Sequence, residues 1–79
     1  MVLPDSKNQL KAFGLRVRKF REALDWSQDQ LAEQADLHRT YISGLERGER
    51  NVSVLNILRL ARALKTTPGK ILDHIGGKR

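Results

Sequence analysis

Between Ser27 and Gly48 the chain has room for two short helices and a tight turn, and this confinement limits its fold more than any other feature. Ser27 followed three residues later by Gln30 is a capping-box pattern, in which each side chain satisfies a free backbone N–H at a helix start. Trp26 precedes that cap and Leu31 follows it by four positions, the spacing of a hydrophobic staple. A short helix is therefore expected from Gln28 to about Ala35, burying Leu31, Ala32 and Ala35, until Asp36 interrupts the pattern. A further helix is expected from Arg39 to about Arg47, with Ile42 and Leu45 as its inward pair and Gly48 as its stop. On its opposite face Arg39, Thr40, Ser43, Gly44 and Arg47 line up, all of them polar, small or cationic.

The rest of the chain reads as helix on either side of this pair. Leu10, Phe13, Val17, Phe20 and Leu24 recur at intervals of three or four, the mark of a helix with one buried face. Ser53 caps a helix rich in Leu, Ile, Val and Ala that ends near Leu64, after a polar loop from Glu49 to Val52. Thr67 then Pro68 places a proline at a first helical position, where its missing N–H costs nothing. The short helix that follows carries Ile71, Leu72 and Ile75 and is ended by Gly76 and Gly77. The expected fold is all-α, a compact five-helix bundle in a single domain over 1–79, with a flexible N-terminal segment at 1–8 and a flexible tail at 76–79.

Seventy-nine residues bury too little surface to enclose a deep catalytic cleft, so a binding module is the natural expectation. Fifteen Lys and Arg stand against nine Asp and Glu, a net charge of +6 that draws the chain to polyanions, whether nucleic acid or anionic membrane. No window approaches the length of an apolar membrane span and Met1 to Leu10 lacks the apolar run of a signal peptide, so a cytoplasmic protein is expected. With no cysteine and only His38 and His74, neither a metal site nor a cofactor is expected, and no small-molecule ligand. No acid, base and nucleophile set converges, which argues against an enzyme.

Two short helices joined by a tight turn, the second presenting a groove-friendly face, form a helix-turn-helix arrangement. Residues near the start of the second helix then reach base edges in the major groove. At that end stands Arg39, whose planar fork pairs bidentately with guanine O6 and N7, beside Thr40, which offers a hydroxyl or touches a thymine methyl. The run Ser27-Gln28-Asp29-Gln30-Leu31-Ala32, followed by His38-Arg39-Thr40-Tyr41-Ile42-Ser43-Gly44-Leu45-Glu46-Arg47-Gly48, resembles the phage repressor and Cro-like helix-turn-helix family. The stretch from Arg39 to Leu64 is especially similar to the small controller proteins of restriction-modification systems.

The resemblance implies a lambda repressor-like DNA-binding domain acting as a transcriptional regulator. It implies base or groove contacts for Arg39, Thr40 and Ser43. It also implies contacts to the DNA backbone for Gln28 with the nearby amides of its helix start, and for Tyr41, Arg47, Arg50 and Asn51. The family pairs an arginine of the first helix with a glutamate near the end of the third, which here are Arg21 and Glu46, a structural ion pair. Two positions depart from the pattern: Asp36 stands where the turn often has glycine, and His38 where relatives carry aspartate or serine. His38 either contacts a phosphate or faces solvent.

Most of the basic residues of the first helix, Arg16, Arg18 and Lys19 among them, are expected to be solvated, with at most one or two touching phosphate. Trp26 is assigned to the staple and core, and His74 to the favourable C-terminal end of the last helix dipole. The last two helices hold more large aliphatics than so small a core needs, which points to a homodimer joined through Ile71, Leu72 and Ile75 on an inverted-repeat operator. The alternatives are a protein-protein interaction module, whose signature would be loss of Arg39-type residues, or an antitoxin-type repressor. An RNA-binding role would favour more exposed aromatics than the 5% present.

Overall fold

The computed structural model describes residues 6–75 and contains five helices and no strand there. They are α1 (Ser6–Ala23), α2 (Gln28–Ala35), α3 (Arg39–Glu46), α4 (Val54–Ala63) and α5 (Pro68–Leu72). Three of them start on a side-chain cap. Ser27 Oγ accepts from the Gln30 amide at 3.1 Å while Gln30 Oε1 accepts from the Ser27 amide at 2.7 Å, so the capping box is closed in both directions. Ser53 Oγ accepts from the Asn56 amide and Thr67 Oγ1 from the Lys70 amide in the same way. His38 precedes α3 in extended conformation without a side-chain cap, and it is exposed.

The N-terminus differs from expectation. Ser6, Lys7 and Asn8 are helical, where a flexible segment over 1–8 is expected. Ser6, Gln9, Leu10 and Phe13 share one helical face and line a groove with Val52 and Ile57, so packing carries α1 a turn beyond the apolar pattern. The remainder of that segment, 1–5, and the tail 76–79 with Gly76 and Gly77 lie outside the described residues.

Four helices close through a left-handed residue whose following amide returns to the last turn of the helix, and only one of these residues is glycine. Gly48 at φ 77° ends α3, whereas Asp25, Asp36 and Lys65 take φ of 61°, 57° and 60° after α1, α2 and α4. In each case the next amide reaches back five residues: Leu37 to the Ala32 carbonyl at 2.9 Å, Thr66 to Ala61 at 2.9 Å, Trp26 to Arg21 at 3.2 Å and Glu49 to Gly44 at 2.9 Å. The turn at Asp36 is thus made without glycine. The left-handed conformation costs an ordinary residue about 1–2 kcal/mol, and these backbone bonds hold it in place.

The core gathers Phe13, Val17, Leu31, Ile42, Leu45, Leu60 and Ile71 from all five helices, with Trp26 and Tyr41 packed at its edge. Burying each of these aliphatics contributes about 1.5–3 kcal/mol. α3 packs on α1 and α2, α4 on α2 and α5, and α5 returns to α1. Arg16 fastens that return, its guanidinium donating to the carbonyls of Lys70 at 2.8 Å and Asp73 at 2.9 Å. Its place is therefore at the end of α5, and His74 follows that helix in a left-handed turn at φ 64°.

Candidate nucleic-acid interface

An α3 that presents one face outward needs its other face fixed. Ile42 and Leu45 are completely buried, and Gly14 of α1 lets the two backbones approach. A Cβ on Gly14 would stand 2.7 Å from the Glu46 carbonyl oxygen and closer still to that of Leu45. Glycine at this place is a packing requirement, and a glycine inside the buried register of α1 was the available signal for it.

The end of α3 is held by a buried polar joint. Glu46 accepts from Arg21 Nε at 2.7 Å, from Arg21 Nη2 at 3.0 Å and from Gln28 Nε2 at 3.0 Å. Arg21 Nη1 also donates to the Trp26 carbonyl at 2.7 Å, so α1, α2 and α3 meet at one carboxylate and the turn after α1 is tied to the same guanidinium. Among the described residues no buried side-chain polar atom lacks a partner. The Glu46 hydrogen bond, against the opposing cost of burial, raises the Arg21 pKa above its ordinary value. The stabilisation linked to the Arg21 proton is therefore lost on the alkaline side, as pH rises through the folded value.

The joint also changes the reading of Gln28. The family resemblance implies a phosphate contact for its side chain, whereas the structure turns the amide inward onto Glu46, leaving the backbone amides of Gln28 and Asp29 at the start of α2. Gln28 lies far from Glu46 in sequence, and only the fold brings them together.

On the outer side, Arg39 and Thr40 are exposed at the first turn of α3, with Ser43 half-buried one turn on. Arg39 Nε lies 3.3 Å from Asp29 Oδ1. Ser43 Oγ accepts from Arg47 Nη1, and Arg47 Nε donates to Glu49 Oε1 at 3.1 Å. Gly44, placed on the polar face by periodicity, is buried, because the side chain of Arg50 lies over it with Cγ 3.0 Å from where a Cβ would be. The Arg50 guanidinium sits 5.9 Å from the centre of the Tyr41 ring. The Tyr41 hydroxyl donates to the Asn51 carbonyl at 3.1 Å and accepts from Asn56 Nδ2 at 3.2 Å. Arg39, Thr40 and Ser43 thus share a face that Tyr41, Arg47, Arg50 and Asn51 flank.

The expected dimer surface is only partly available. Ile71 is 0% exposed and belongs to the monomer core, because a helix as short as α5 has one fully inward position and Ile71 takes it. Ile75 is half-buried against the core, and Leu72 is 40% exposed. The larger open apolar surface is on α4, where Val54, Leu55 and Leu58 are 72, 68 and 47% exposed on one face. Periodicity over two adjacent helices marked the surplus of aliphatics but not which helix turns it outward.

Comparison with known proteins places this geometry in a family. A helix-turn-helix family model matches residues 17–71. The control protein C.BamHI of Bacillus amyloliquefaciens is 50% identical over 62 residues, covering 77% of this chain and 76% of that one. The restriction-modification controller protein C.AhdI from Aeromonas hydrophila superposes with a TM-score of 0.80 at 47% identity, over 81% of this chain and 97% of its own. The controller protein C.Esp1396I, solved as a tetramer with its natural 35 base-pair operator, superposes with a TM-score of 0.76 at 27% identity, over 85% of this chain and 88% of its own. The chain belongs to the helix-turn-helix family that includes the restriction-modification control proteins.

Proposed function

We propose that this protein binds double-stranded DNA with sequence preference and regulates transcription from the cytoplasm, without enzymatic activity. The carrying observation is the division of α3: Ile42 and Leu45 are locked inside while Arg39 and Thr40 stand exposed at its first turn. An α-helix so presented fits the major groove, where Arg39 pairs with guanine and Thr40 and Ser43 contact neighbouring base edges. Tyr41, Arg47, Arg50 and Asn51 contact the backbone around that groove, and the amides opening α2 hold a phosphate. The family relation supports this reading, as does C.Esp1396I solved on its operator. Among the described residues no helix is long and apolar enough to cross a membrane.

The protein acts as a homodimer in this reading. The exposed face of α4, Val54, Leu55 and Leu58, meets the same face of a second copy, with Leu72 as a further apolar contact and Ile71 behind the surface. Two such subunits place their α3 helices on half-sites about 34 Å apart, so the operator is an approximate inverted repeat. Similarity to the control proteins supports autoregulation within a restriction-modification system.

Selection of bound duplexes from a random pool tests the reading. The wild type is expected to recover an inverted repeat, and Arg39→Ala to relax one guanine preference per half-site by about 1–3 kcal/mol. An unchanged preference in the variant would remove the assignment of readout to Arg39.

A further inference from the structure

We infer that Asp29 of α2 is a positioning residue for Arg39, holding the guanidinium so that its outer edge faces a guanine. This rests on base readout by Arg39 as proposed above. Asp29 Oδ1 lies 3.3 Å from Arg39 Nε, and among the described residues neither side chain has another ion-pair partner. Both are open to solvent, Asp29 at 76% and Arg39 at 61%, so the contact belongs to the surface that meets ligand rather than to the core.

The atom engaged matters more than the contact itself. A guanidinium presents two usable double-donor edges, one formed by Nε with one Nη and the other by the two Nη groups. Asp29 stands beside Nε as a charge contact and not as a hydrogen bond, which marks the Nε side of the guanidinium as the one turned to α2, while among the described residues the edge of Nη1 and Nη2 has no partner and is the fork available to guanine O6 and N7. A free arginine side chain has many rotamers, and a partner that narrows them before binding lessens the entropy that must be lost on the base. The neighbouring cations differ in this respect: Arg47 is held by Ser43 and Glu49, and Arg50 lies over Tyr41, each within α3 and the loop after it. Arg39 alone is held from the other helix of the motif, which sets its direction relative to α2 as well as to α3.

The carboxylate also has a cost that helps to expose its role. Near a polyanion it opposes the sequence-independent attraction due to phosphates. Its benefit therefore falls on the choice of base and not on the overall strength of binding. Loss of the charge in Asp29→Asn should leave non-specific binding as strong or stronger while weakening discrimination at the one base pair that depends on Arg39.

The test uses the full chain and two duplexes: the sequence recovered by selection, and the same sequence with the Arg39-dependent G·C pair changed to A·T in both half-sites. The ratio of affinities is measured for the wild type, Asp29→Asn, Arg39→Ala and the double variant. Asp29→Asn is expected to lower the ratio roughly two- to fivefold per half-site, the scale of an exposed ion pair, and to change nothing further once Arg39 is alanine. A ratio unchanged or increased by Asp29→Asn, with Arg39→Ala still relaxed, overturns the role of Asp29 alone. An equal drop in the Arg39→Ala background means that Asp29 touches a base itself and overturns positioning. If Arg39→Ala leaves the ratio of the wild type, base readout by Arg39 falls and the role of Asp29 with it.

Discussion

The joint at Glu46 and the outer face of α4 invert the usual distribution of residues in opposite ways: one puts charge inside the monomer, the other leaves hydrocarbon outside it. At the joint every polar group finds its partner within the chain, with Arg21 and Gln28 donating to one carboxylate. On α4 the residues Val54, Leu55 and Leu58 stand largely uncovered by the described residues. The first arrangement is complete in one copy and serves to orient α3. The second is incomplete in one copy, and in the proposed dimer it sets where a second α3 stands. A buried polar group thus marks a constraint on the fold, and an exposed apolar face marks a constraint on assembly.

The largest effect should come from opening the joint. Glu46→Ala leaves the Arg21 guanidinium buried without its carboxylate, and urea denaturation is expected to show a loss of about 3–5 kcal/mol. Arg21→Met combined with Glu46→Leu should recover most of it, since a hydrophobic pair removes both charges. A loss below about 1 kcal/mol in the single variant would show that the joint does not hold α3.

The same side of the comparison is probed by Gly14→Ala, where the added methyl meets the backbone of Leu45 and Glu46. Forcing α1 and α3 apart should cost about 1–3 kcal/mol by the same measurement. The opposite side is probed by Leu55→Lys. That change should leave the unfolding free energy of the monomer almost unaltered, yet weaken self-association by roughly tenfold or more in sedimentation, from the loss of a buried leucine. Retained dimers would move the interface away from α4.

The smallest expected change is a gain. Lys65 closes α4 at φ 60°, exposed, with its ammonium 5.9 Å from the centre of the Trp26 ring. Lys65→Gly relieves the left-handed conformation and should raise stability by up to about 1 kcal/mol in thermal unfolding, less whatever the Trp26 contact contributes. No gain would mean that the contact offsets the backbone cost.

Much of the fold was legible because its signals are local. Ser27 with Gln30, Ser53, and Thr67 with Pro68 each mark a helix start within four residues of chain, and each does so in the structure. The outward side of α3 was legible for the same reason, as Ile42 and Leu45 name the inward side by spacing alone. What escaped depended on distant neighbours. The amide of Gln28 is aimed by Glu46, Gly44 is covered by Arg50, and Ile71 is drawn inside because α5 is too short to offer another anchor. The contact of Asp29 with Arg39 likewise joins two helices whose mutual placement no periodicity specifies.

The hydroxyl of Tyr41 bridges the loop carbonyl of Asn51 and the side chain of Asn56, and so crosses from the helix proposed to face DNA to the helix proposed to face the second copy. A crossbar of this kind makes the two surfaces one lever. A slight re-seating of the subunit seam would swing the paired helices together and change the distance they span along the duplex. Operator spacing in such a protein is then inherited from how its subunits sit, and a lineage could acquire a new spacing without altering a single base-reading residue.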